Sequence, residues 1–169
     1  MAKKQDSVCC ATLFTAAISG IALASVMYMF LPTHSLALLC QEKSATLGQQ
    51  YFLLQGTLFS LSCVFCLGFF ASPMVPLTVL AVLRTAKLTL GCYVAYTFYR
   101  TGAFLWQLPS AGLLGLMFLC FCRLSYLYGL RRKQGRIRGR YTLQFIGDFL
   151  FFCGISTVIQ LAFHYAAFT

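Results

Sequence analysis

The stretch Arg131-Arg132-Lys133-Gln134-Gly135-Arg136-Ile137-Arg138-Gly139-Arg140 separates two long apolar runs, Leu108 to Leu130 and Tyr141 to about Tyr165. It holds six of the thirteen basic residues in the chain. In a soluble protein such a stretch, in a chain with a net charge of +10, would point to nucleic acid. The surroundings decide otherwise. Of 169 residues, 60% are hydrophobic and only 9% charged, with a mean hydropathy of +0.80. A soluble domain carries about a quarter of its residues as charges. Lipid therefore replaces water around most of this chain, and the basic stretch is a connector retained on the cytoplasmic side of a membrane. Membrane lipid, not nucleic acid, is the expected surrounding.

Working outward from the connector, five apolar spans are expected, at about 8–31, 51–70, 75–99, 108–130 and 141–165. Pro32 ends the first, and a short polar loop with His34, Glu42 and Lys43 follows. Pro73 and Pro76 form a helix-breaking turn after the second. Arg100 to Gln107 reads as an interfacial loop, with Trp106 and Tyr99 at headgroup level. Arg131, Arg132, Lys133, Arg136, Arg138 and Arg140 set the orientation. Counting back from them places the proline turn, and the N-terminus with Lys3 and Lys4, inside; the C-terminus falls outside. Four or six spans would put one of the two basic segments on the wrong side. The first run resembles a signal sequence, but its length favours an uncleaved anchor. The fold class is all-α: a polytopic membrane helical bundle forming one domain over 1–169, without an internal repeat.

An ionisable side chain in the hydrocarbon layer costs about 2.5 to 3.5 kcal/mol on insertion scales, so each one asks for a reason. Arg84 and Lys87 fall in the third span, Arg123 in the fourth and Asp148 in the fifth. Asp148 and Arg123 stand nearly symmetrically about the connector, and Arg84 enters from the same side. An ion pair of Asp148 with Arg123 or Arg84 is one expectation. The other is that both arginines snorkel while Asp148 is protonated or bonded to Gln144. Arg84 and Lys87, three apart, share a helix face. That face is either an interaction surface or the wall of a polar cavity. The second alternative makes the chain a small transporter or permease-like subunit that attracts anions through Arg84 and Lys87.

Catalysis finds little material. The only acids are Asp6, Glu42 and Asp148, and no GxSxG, HExxH or phosphate-cradling glycine loop occurs. No catalytic residue, metal ligand or cofactor is expected. Most of the nine cysteines lie in apolar runs, where cysteine behaves as a small hydrophobe. Cys63 and Cys66 form a CxxC without a second ligand pair. Cys40 is alone in the outer loop, and Cys9 and Cys10 are weak acylation candidates. His34 and His164 are single and interfacial. Gly147 with Gly154, or Gly112 with Gly115, would permit close helix approach.

Three stretches resemble the stage II sporulation protein M family, over roughly residues 60–165. The first is Leu67-Gly68-Phe69-Phe70-Ala71-Ser72-Pro73-Met74-Val75-Pro76, followed by the basic residue Arg84 and by Gly91. The second is Leu108-Pro109, and the third is Arg140-Tyr141-Thr142-Leu143-Gln144-Phe145. Departures occur at Ser110-Ala111, where the family has Gln-Asn, and at Thr85, where it has glycine. The resemblance implies a non-enzymatic bacterial membrane scaffold. Its implied partners are a membrane-anchored lytic transglycosylase and an amidase/endopeptidase, recruited and held at the engulfing membrane during sporulation.

Overall fold

The computed structural model describes residues 2–32, 35, 47–70, 73–135 and 139–168; for 2–5, 47–55, 94–95, 98–104, 106 and 164–168 it describes the backbone alone. Four helices occur among them: α1 (Ala2–Phe30), α2 (Leu47–Leu67), α3 (Met74–Lys133) and α4 (Gly139–Phe168). Their ends have local causes. Pro32 follows α1, and the residue before a proline is disfavoured from helical geometry. Gly68 closes α2, its N–H donating to the carbonyls of Val64 and Phe65. Pro73 caps the start of α3, and Leu77 N–H donates to its carbonyl at 3.0 Å. Gly135, at φ +67°, ends α3 in the left-handed conformation that glycine adopts without a Cβ penalty.

The proline turn is corrected in one respect. Pro76 does not break a helix but sits in the first turn of α3, where its missing N–H would have had no intrahelical partner.

The sixty residues of α3 would extend about 90 Å if straight. They do not. The place a Cβ would take on Gly129 lies 3.2 Å from Pro73 Cγ, and that on Gly115 lies 3.7 Å from Leu88 Cδ1. Cys92 Sγ approaches the Gln107 carbonyl at 3.9 Å. The chain therefore reverses between Cys92 and Gln107, giving an ascending limb, 74–93, and a returning limb, 107–133. The loop expected at 100–107 is corrected accordingly: the reversal is there, but the backbone remains helical through it. Pro109 is tolerated because it opens the returning limb. Ser110 Oγ supplies a donor to the Gln107 carbonyl at 2.9 Å.

Four helical stretches are long and apolar enough to cross a membrane: Asp6–Phe30, Met74–Tyr93, Gln107–Lys133 and Gly139–Phe163. This is a multi-pass membrane protein. The second expected span corresponds to α2, whose described side chains form the shorter apolar stretch Gly56–Leu67. The outer-loop residues His34, Cys40, Glu42 and Lys43, and Ser72, Arg136 and Arg138, lie outside the described residues. The side chains of Tyr99, Arg100, Trp106 and His164 do as well.

Side-chain contacts fix how the limbs run. Gly20 meets Val82, Thr85 and Ala86, while Tyr28 stacks on Tyr93 at 4.9 Å, so α1 runs parallel to the ascending limb. Thr57 meets Arg84, and Gly68 meets Ser125 and Phe145, so α2 runs opposite to that limb. Phe145 stacks on Tyr128 at 4.3 Å and Phe152 tilts on Phe121 at 5.2 Å, so α4 runs opposite to the returning limb. The start of α1, residues 68–70 with Pro73, and residues 134–135 with Gly139 thus share one end of the bundle.

Two kinds of packing hold it. On α1, Ala16, Ala17 and Ala24 are buried and Gly20 lies on the same face, against α3. A Cβ on Gly20 would stand 2.5 Å from the Val82 carbonyl and 2.0 Å from Thr85 Oγ1. Small residues at fourth positions let two backbones touch, which is the main attraction available when lipid is as apolar as leucine. Around α4 the contact is aromatic: Phe145 stacks on Phe65 at 5.1 Å, and Phe149 on Phe65 at 4.6 Å. Such ring pairs contribute about 0.5 to 1.5 kcal/mol each beyond their area.

The glycine expectation is corrected. Around Gly112, Gly147 and Gly154 a Cβ would meet nothing within 4 Å, and Gly115 would make only an ordinary contact. Close approaches occur instead at Gly20, Gly68 and Gly129. On Gly129 a Cβ would lie 3.1 Å from the Phe70 carbonyl.

Candidate functional site

Arg84 is carried inward by the ascending limb and is 8% exposed. Its Nη2 donates to Thr57 Oγ1 on α2 at 2.6 Å. Gln160, on α4, donates to the same hydroxyl through Nε2. One threonine thereby ties three helical limbs at mid-depth. Gln160 Oε1 is buried and accepts no hydrogen bond. Lys87, one turn beyond Arg84, is exposed on the outside of the limb. Its Nζ lies 3.8 Å from where Gly56 would carry a Cβ. No described acid stands beside these two cations. Both side chains reach α2 at neighbouring residues, Arg84 at Thr57 and Lys87 beside Gly56, the first buried and the second exposed.

The expected ion pair of Asp148 is corrected. Arg123 is bound in bidentate fashion by Asp6, with Nε to Oδ1 at 2.8 Å and Nη2 to Oδ2 at 2.6 Å. One edge of its guanidinium is thus matched to the Asp6 carboxylate. The only other predicted candidate, Arg84, is turned to Thr57. Asp148 is half-buried and forms no hydrogen bond or ion pair among the described residues, including the alternative bond to Gln144.

At the end of the bundle shared by residues 68–70 and 134–135, basic residues close over aromatic ones. Arg132 Nη1 donates to the Phe69 carbonyl at 2.9 Å, and its guanidinium lies 5.6 Å from the centre of the Phe69 ring. Arg131 lies 5.8 Å from the centre of Tyr141. Such cation–π contacts suit side chains between an apolar phase and water. Lys133 and Arg140 are exposed on either side. Pro73 is buried in the same end.

Cys9, Cys10, Cys63, Cys66, Cys92, Cys120, Cys122 and Cys153 are all free. Cys9 is buried in the core and Cys10 exposed, so the two acylation candidates are inequivalent. Among the described residues no group of three His, Cys, Asp or Glu is placed to hold a metal.

Reasoning from sequence missed Asp6, Thr57 and Gln160. Asp6 was within reach: with the N-terminus and connector assigned to one side, it is the acid at the depth of Arg123. Thr57 and Gln160 carry no charge, and nothing in their spacing distinguishes them from other polar residues in apolar runs. No family model, curated protein or solved structure matches the chain.

Proposed function

We propose that this protein is a non-enzymatic scaffold of the bacterial cell membrane, of the stage II sporulation protein M type. In this reading it crosses the membrane five times, with the N-terminus inside and the C-terminus outside. It recruits and positions a membrane-anchored lytic transglycosylase and an amidase/endopeptidase at the septal and engulfing membrane during sporulation. The observation that carries the reading is a convergence. Two of the stretches on which the resemblance rests, 67–76 and 140–145, are some seventy residues apart in sequence yet meet at one end of the bundle. Gly68 touches Phe145, and the Phe69 ring meets the Phe145 ring edge-on at 6.0 Å.

The transport alternative draws less support, because Arg84 is buried and bonded to Thr57. The test is affinity purification of the tagged chain from its native membrane in mild detergent. Enrichment of single-span peptidoglycan hydrolases is the expected result. Absence of any such enzyme, together with anion flux in reconstituted vesicles that Lys87→Ala abolishes, would replace the scaffold with the transporter.

A further inference from the structure

We infer that the Lys87 ridge of the ascending limb is a docking surface for a partner's transmembrane helix that carries a carboxyl group at mid-depth. The inference rests on the scaffold reading and names the chemistry of its partner.

Val75, Val79, Leu83 and Lys87 recur at every fourth position and are all exposed, forming one ridge along the outside of α3. Ridges at this spacing are what a second helix packs against. Three are apolar and suit lipid or a helix equally. The fourth is Lys87, whose backbone stands about 20 Å along the limb from Met74, well inside a bilayer core about 30 Å thick. The side chain is not snorkelled here: Nζ lies level with Gly56, eleven residues or about 16 Å from the end of α2. Gly56 leaves the space beside it unfilled. Behind it, Arg84 adds a second positive charge with a single hydrogen bond, to Thr57.

Nothing described in this chain neutralises the pair. Asp6 is taken by Arg123. Asp148, three residues beyond Phe145 and hence just past the level of Gly68, stands about 13 Å nearer the connector end than the Lys87 ammonium. A second copy in the same orientation would present its described acids at the same wrong depth. An inorganic anion would have to reach a ridge that faces hydrocarbon, not a water-lined passage. A glutamate or aspartate on a partner helix arrives through the lipid already at depth, and its carboxyl group answers the ammonium.

The probe is a synthetic leucine–alanine transmembrane peptide with one central glutamate. Its counterpart carries glutamine at that position. Association with the purified full chain is followed by energy transfer in phosphatidylcholine vesicles. The glutamate peptide is expected to bind about tenfold more tightly than the glutamine peptide. Lys87→Met removes a charge from lipid, so it should insert and fold at least as well; it abolishes the preference, and Lys87→Arg retains it. Equal binding of the two peptides, or a preference that survives Lys87→Met, overturns the inference. So does a preference that follows the glutamate wherever it is moved along the peptide. The scaffold reading is judged separately: hydrolases co-purified equally by the Lys87→Met chain leave it standing and remove only this surface.

Discussion

The two outer helices, α1 and α4, are attached by opposite means. α1 presents Ala16, Ala17, Gly20 and Ala24 and lies backbone to backbone on α3, with a third of its span buried. α4 presents Phe145, Phe149 and Phe152, and only 11% of its span is buried. Its own glycines face away, into open space. In lipid, burying an apolar side chain gains little by itself, because the alternative surroundings are equally apolar. What remains is close fit. α1 achieves it with small residues from Ala16 to Ala24, and α4 with interlocked rings from Phe145 to Phe152. The first arrangement tolerates no added volume; the second tolerates no lost volume.

That difference is open to direct attack. The largest effect is expected for Gly20→Leu, since even the first added atom meets the Val82 carbonyl, which belongs to backbone and cannot swing aside. A loss of about 3 kcal/mol is expected, read as unfolding in mixed micelles, with the folded fraction recovered by Gly20→Ala only in part. Phe145→Ala is the converse substitution. It empties the place where rings of Phe65, Phe121 and Tyr128 converge. Soluble cores lose about 3 to 5 kcal/mol on such a truncation. Here about 2 kcal/mol is expected, because only packing and not transfer from water is lost. Its mark is selective: α4 should become accessible to proteolysis or hydrogen exchange while the α1–α3 seam stays protected.

The contrast also explains what could be read beforehand. Span positions follow from apolar run length, so the four membrane-length stretches fall where the sequence places them, and the reversal near Arg100 to Gln107 was visible as a polar interruption. Its helical backbone was not, since Pro109 reads as a helix start without revealing whether the helix before it has ended. Glycines were misjudged for a related reason. Gly147 and Gly154 are as well spaced for close approach as Gly20 and Ala24, and spacing says nothing about which face is turned inward. Polar contacts were legible where charge demanded a partner and illegible where it did not. Arg123 lies deep enough in its span to ask for an acid, and symmetry about the connector points to Asp148, whereas the acid that meets it is Asp6. Thr57, which joins Arg84 to Gln160, has no such necessity written into it.

Smaller effects sharpen the comparison. Ser125 is fully buried, and its hydroxyl donates to the Val64 carbonyl at 2.7 Å, a carbonyl that also accepts from Gly68 N–H. Because the acceptor keeps that second donor, Ser125→Ala leaves nothing orphaned. A loss of about 0.6 kcal/mol is expected, the average for such bonds within membranes. Gly154→Leu sits at the bottom of the order and is the most discriminating. No atom stands within 4 Å of the new Cβ, so no clash arises, and leucine is the better helix former by about 0.8 kcal/mol. The isolated chain should therefore be unchanged or slightly more stable in the same micelle assay. Destabilisation comparable to Gly20→Leu would mean that α4 is seated with a different face inward, and the aromatic attachment of that helix would have to be abandoned.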